Sequence, residues 1–193
     1  MVGEQTDMEG HMEKANLTEE KLSGEKVFDG KLLHIEHWQV RLPDGSTALR
    51  EIARHIGAVA VVPVDDDNCV TVVYQYRPAV GRVMLEIPAG KLDSADEDRL
   101  EAAQRELREE TGLRARSWER LGDVVPSPGY LTERITLFLA RGFEQGDTDP
   151  DDDEFLHVER LPLGELVERV MRGEIEDAKT QTGLLMAARA LGV

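Results

Sequence analysis

Cysteine is almost absent from this chain of 193 residues: Cys69 stands alone, so no disulfide can form within it. A lone cysteine fits a reducing compartment, and the cytoplasm is the expected location. Basic residues are scarce as well, with 23 Lys and Arg against 39 Asp and Glu and a formal net charge of −16. That sign disfavours nucleic acid and anionic membranes as partners, and a phosphate-bearing ligand then needs local help from a cation or from arginines. No apolar stretch approaches the length of a membrane span, and the first 26 residues hold no run suited to a signal peptide. There are no internal repeats, so the length reads as one domain with a sizeable core and a small accessory piece.

Residues 1–24 are polar and without a sustained period, which reads as a flexible tail or a short exposed helix. Over 25–55, KLLHIEHWQVRL, a PDGS turn and TALREIARH predict a small antiparallel β-sheet. It must pack on something, either the main body at 56–193 or a second subunit. The valine-rich runs at 57–64 and 69–77 are expected as strands of one central sheet, with Cys69 as a small core residue. Asp65, Asp66 and Asp67 between them read as a solvated turn rather than a metal site, because nothing nearby supplies further ligands. Further strands are expected at 119–125, 135–143 and in LHVERL. Two C-terminal helices follow, one burying Leu166, Val167, Val170 and Met171 and the other Leu184, Leu185, Ala188 and Leu191. The fold class is α/β, a sandwich with a mixed sheet.

The informative stretch is EIPAGKLDSADEDRLEAAQRELREETGL, from Glu86 to Leu113. Ser94 and Glu97 make a capping-box pattern and Gly112 can end a helix in the left-handed conformation, so a helix is expected over 95–111. On that helix Glu106, Glu109 and Glu110 fan over one side, while Leu100, Ala103 and Leu107 fall at core-facing intervals. Like charges at this spacing repel, and a hard cation is the natural means of holding them together. VMLEI before the helix reads as a strand, and PAG as a turn whose carbonyls reach toward the carboxylates. The alternative is a solvated glutamate-rich helix, common for any single E-x-x-x-E pair but not for this many fixed positions at one spacing.

The stretch resembles the signature of Nudix hydrolases, G-x5-E-x7-R-E-U-x-E-E-x-G-U with U aliphatic. Glu97, Arg105, Glu106, Leu107, Glu109, Glu110, Gly112 and Leu113 match in register, while Gly90 stands one residue too far from Glu97. The order VVYQYRPAVG, EIPAG, the acidic helix, SPGY, DPDDDEF and TGLL is similar to the ADP-ribose pyrophosphatase branch of that family. The resemblance implies the Nudix α/β/α sandwich, Mg2+ dependence with Mn2+ as an alternative, and a homodimer that exchanges its N-terminal sheets. Carried over by position, it implies the Ala89 carbonyl, Glu106, Glu109 and Glu110 as metal ligands, and Arg77 and Glu86 lining the substrate cleft. Trp38 or Arg50 would reach the other subunit's cleft. In the late acidic loop it implies Glu154 or Asp152 as the base, with Glu154 also a metal ligand. Arg105 is expected to tie the helix to the loop through Glu97 and to point away from the ligand face; contact with phosphate is its alternative role. Pro126, Pro128 and Gly129 stiffen a loop that leaves Tyr130 at its tip to stack on a base or ribose, or else form a plain proline turn.

The expected activity is hydrolysis of the pyrophosphate of ADP-ribose to AMP and ribose 5-phosphate. The alternatives are another nucleoside diphosphate sugar such as GDP-mannose, or a sensor that binds ADP-ribose without cleaving it.

Overall fold

The computed structural model describes residues 17–148 and 155–193. The chain divides after Ile52 into two compact units. In the first, β1 (Glu20–Asp29), β2 (His34–Arg41) and β3 (Thr47–Arg54) form a sheet in the order β1-β2-β3. The PDGS turn joins β2 to β3 as expected, with the Asp44 carboxylate accepting from the Ser46 backbone and hydroxyl. The start of this sheet corrects the sequence reading, because β1 begins at Glu20, inside the segment expected to be a tail. Two register shifts, between Lys21 and Ser23 and between Lys26 and Phe28, break the two-residue alternation, and every β1 residue is exposed. A strand without an inner face leaves no apolar period to read.

In the second unit a mixed sheet runs β7-β4-β9-β8, where β4 (Ala58–Pro63) is parallel to β9 (Ile135–Gln145). β7 (Ala89–Lys91) and β8 (Leu113–Val124) flank them antiparallel. All of β4 is buried, since both of its faces are covered. Val59 and Val61 face Ala103 and Leu107 of α1 (Arg99–Thr111). Ala60 and Val62 join Leu166 of α2 (Leu163–Met171) and Leu184 of α3 (Ala178–Leu191). The sheet is thus the middle of an α/β/α sandwich.

A second sheet, β10-β5-β6, is antiparallel and contains β5 (Cys69–Arg77), β6 (Arg82–Glu86) and β10 (Leu156–Pro162). The expectation that 57–64 and 69–77 share a sheet is therefore corrected. Between them the chain turns through Asn68 at φ 57°, and only an isolated bridge, Val64 to Val70, links the two segments. Asp65 accepts from the backbone of Asp67 and Cys69, and Arg160 of β10 pairs with both Asp65 and Asp67. The acidic turn is thus held by arginine. Cys69 is half-buried rather than a core residue.

Three helix details also differ from expectation. α1 starts at Arg99, four residues late, because Asp98 caps it by accepting from the Leu100 and Glu101 backbones, while Ser94 and Glu97 close a turn before it. Met171 is 70 % exposed and the buried face of α2 is Leu163, Leu166 and Val170. In α3 the inward positions include Gly183 and Ala187 instead of Leu185. Small residues there allow close approach to the sheet: a Cβ on Gly183 would come within 2.8 Å of Ile87 Cδ1.

Candidate active site

Strand β6 ends at Glu86, and Ile87 and Pro88 lead into β7. The expected PAG turn is corrected here, because Ala89 and Gly90 pair with Ala60 and Val59 and open strand β7, which fixes this segment to the centre of the sandwich. α1 then lays its acidic side on the loop. The Ala89 backbone donates to Glu110 Oε2 at 3.3 Å, and the Gly90 α-carbon faces the Glu106 carboxylate. Glu110 is the buried member of the three, 7 % exposed.

Arg105 is the hub of the acidic cluster. Its Nη1 donates to Glu106 Oε1 at 2.7 Å and to Glu109 Oε2 at 3.3 Å, while Nε and Nη2 meet Glu97 Oε1 at 3.3 Å. The expected tie to Glu97 is present, and Nη2 adds a bond to the Lys91 carbonyl. The expectation that Arg105 points away is overturned, because the long side chain curls back over the residues one and four positions on. Burial would lower its pKa, but the Glu106 and Glu97 carboxylates outweigh that and raise it. Glu97 shows the converse: burial raises its carboxyl, and the Asp93 backbone and Arg105 pull it below the ordinary value.

The donors suit a hard divalent cation. Glu106, Glu109 and Glu110, with Glu97 nearby, supply carboxylate oxygens beside the backbone of β7, and the two arginines that pair with them, Arg105 and Arg108, leave negative charge in excess. As the side chains stand, no group of three His, Cys, Asp or Glu among the described residues is arranged to hold a metal. Arg105 spans the gap between Glu106 and Glu109. Asp152 and Glu154 lie outside the described residues.

Beside the loop is a second charged cluster. Arg77 meets the buried Glu86 through two parallel hydrogen bonds, Nε to Oε1 and Nη2 to Oε2, both 2.7 Å. Lys179 of α3 also binds Glu86 Oε2 and reaches Asp177 at 3.0 Å. Burial pushes the Glu86 carboxyl up, but Arg77 and Lys179 outweigh it and hold it below the ordinary carboxylate value. The Arg77 guanidinium is raised by the same pairing. Lys179 and Thr180 were absent from the sequence reading. The available signal was Asp177, a helix cap three residues before Thr180.

Tyr130 is 58 % exposed, as expected, and its carbonyl accepts from the Ala53 backbone at 2.7 Å. In the N-terminal unit, Arg50 pairs with Glu19 and Trp38 donates to Glu36 beneath the Lys21 ammonium.

Comparison with known proteins agrees with this geometry. The NUDIX domain matches residues 54–181. An ADP-ribose pyrophosphatase of Mycobacterium tuberculosis (strain ATCC 25618 / H37Rv) is 39 % identical over 168 residues, 86 % of this chain and 81 % of that protein. A methanol dehydrogenase activator of Bacillus methanolicus is 38 % identical over 167 residues, 85 % of this chain and 90 % of that one. In structure, the chain is similar to the crystal structure of an ADP compounds hydrolase at a TM-score of 0.81, with 24 % identity, covering 91 % of this chain and 96 % of that one. With the domain spanning the sandwich and the acidic helix seated on its glycine loop, the chain belongs to the Nudix family of hydrolases.

Proposed function

We propose that the protein hydrolyses ADP-ribose to AMP and ribose 5-phosphate with the help of divalent metal, Mg2+ in the first instance and Mn2+ as its substitute. The observation that carries this is the seating of Glu106 and Glu110 on the Ala89–Gly90 backbone of β7, which gathers acidic oxygens around one stretch of main chain. The relative from Mycobacterium tuberculosis supports ADP-ribose as the substrate. Glu106, Glu109, Glu110 and the Ala89 carbonyl would hold the metal, whose charge, when bound, offsets that of the pyrophosphate.

The remaining chemistry falls to the chain. Glu154, or Asp152 in its place, accepts a proton from the attacking water as the water oxygen joins one phosphorus and the bridging P–O bond breaks. Arg77, anchored by Glu86, meets a phosphate oxygen. Arg105 keeps Glu97, Glu106 and Glu109 in place as a positioning residue. Tyr130, on the loop stiffened by Pro128, stacks on the adenine or ribose. The protein works in the cytoplasm as a homodimer in which the N-terminal sheet is exchanged and Trp38 or Arg50 contributes to the partner's cleft.

The test is incubation with ADP-ribose, GDP-mannose and Mg2+ separately, with products identified by mass. AMP and ribose 5-phosphate in equal amounts are expected. Faster turnover of GDP-mannose would overturn the substrate, and binding of ADP-ribose without products would favour a sensor. Among the described residues no helix is long and apolar enough to cross a membrane.

A further inference from the structure

The first turn of α3 grips the strand end that carries Glu86. Thr180 Oγ1 accepts from the Ile87 backbone at 3.0 Å within the core and donates to Asp177 at 2.6 Å. Next to it Lys179, with a side chain only 12 % exposed, bridges Asp177 and Glu86. A buried ammonium is retained where carboxylates offset its desolvation, and here it has two.

Glu86 therefore has two cationic partners, and Arg77 Nη2 and Lys179 Nζ share its Oε2. Its side chain is 4 % exposed, whereas that of Arg77 is 41 % exposed, so the cluster opens outward through Arg77. Both Nε and Nη2 of Arg77 are committed to Glu86, and Nη1 lies outside that pair. With Lys179 present, the four groups Arg77, Lys179, Glu86 and Asp177 balance in charge. Without it, two carboxylates face one arginine, and the surplus negative charge stands where an anionic pyrophosphate must approach. Glu86 would also be free to rotate away from the Arg77 plane, since one of its oxygens loses its second anchor.

We infer that Lys179 is a positioning residue for substrate binding, which fixes the Arg77 guanidinium through Glu86 and keeps the local charge favourable to a pyrophosphate. This rests on the reading of Arg77 as a substrate contact. A lysine that served only to hold α3 to β6 would change the amount of folded protein, or turnover as a whole, and would leave KM where it was.

The experiment measures kcat and KM for ADP-ribose in Lys179→Met, Arg77→Met and the double variant, each checked for its melting temperature. Lys179→Met should raise KM about tenfold with kcat within about twofold, as for loss of one charge-assisted contact. Arg77→Met should raise KM at least as far, and the double variant should be no worse than Arg77→Met, because the two act in series. Lys179→Arg, which keeps the charge, should recover most of the loss. Where Lys179→Met fails to fold, Lys179→Gln keeps a neutral donor and is held to the same KM criterion. An unchanged KM in the lysine variants, or effects that add to those of Arg77→Met, overturns the inference. A wild-type KM in Arg77→Met overturns the reading of Arg77, and the inference with it.

Discussion

The α-carbon of Gly90 lies so close to Glu106 that a Cβ there would stand 2.1 Å from the carboxylate carbon. No side chain fits that gap. The clash is with the far end of a flexible glutamate, so Gly90→Ala should leave the fold intact while driving the Glu106 carboxylate off the loop. A displacement of about 1 Å in a catalytic constellation costs on the order of 100-fold, and kcat should fall by that amount with a melting temperature near wild type. Unchanged kcat in Gly90→Ala would separate Glu106 from the chemistry.

Glu110 is the buried member of the acidic side and accepts from the Ala89 backbone. Glu110→Gln keeps its volume and an oxygen for that bond but removes the charge. Turnover should drop by about 100-fold or more, and the affinity for Mg2+ measured by calorimetry should weaken with it, while stability changes by about 1 kcal/mol or less. Normal metal affinity together with normal kcat would remove Glu110 from the metal site.

These glutamates were legible in the sequence because their spacing on one helix is a local property, and β4 was legible because burial on both faces demands an unbroken apolar run. The role of Gly90 was readable only as a turn; that it makes room for Glu106 depends on how α1 sits against β7. The Lys179–Glu86 pair joins residues 93 positions apart, and no period or motif announces such a contact. β1 escaped notice for the opposite reason, since its bulges and full exposure erase the alternation that marks a strand. The start of α1 was misread because Ser94 and Asp98 both have the chemistry of a cap, and only the backbone chooses between them.

Acid should unfold the protein partly through Glu86. Its folded pKa lies below the ordinary 4.5, because Arg77 and Lys179 outweigh burial. A carboxylate depressed in the folded state contributes stability in full above its unfolded value, and that contribution fades as pH falls through the folded one. The melting temperature should therefore decline steeply below about pH 4.5. Glu86→Gln should melt lower at neutral pH, where two cations lose their partner, and show a flatter acid limb. Parallel curves for the two proteins would rule out this origin of the acid sensitivity.

The late acidic loop separates two candidates for the base. If Glu154 takes the proton from water, Glu154→Gln should lower kcat by on the order of 100-fold with little change in KM, and Asp152→Asn should do so instead if the role is Asp152's. Small, equal effects in both variants would make the segment a solvated connection without a catalytic role.

The N-terminal unit carries the test of assembly. Its strands expose Leu22, Val27, Phe28 and Leu49, and the connection between β1 and β2 exposes Leu33, each more than 40 % accessible. In the proposed exchanged dimer, a second copy of the chain would cover this apolar surface at each of two equivalent sites. The boundary of a harmless truncation follows from β1: since pairing with β2 begins at Glu20 opposite Arg41 and Glu19 pairs with Arg50, removing residues 1–24 cuts into the sheet, and a truncation meant to spare it must stop short of Glu19. Deletion of 1–16 should leave both the dimer mass and turnover of ADP-ribose unchanged, whereas deletion of 1–52 should yield a monomer without activity. Light scattering at micromolar concentration reads the first quantity and product formation the second. A full-length monomer that turns over ADP-ribose at its normal rate would exclude the exchanged dimer.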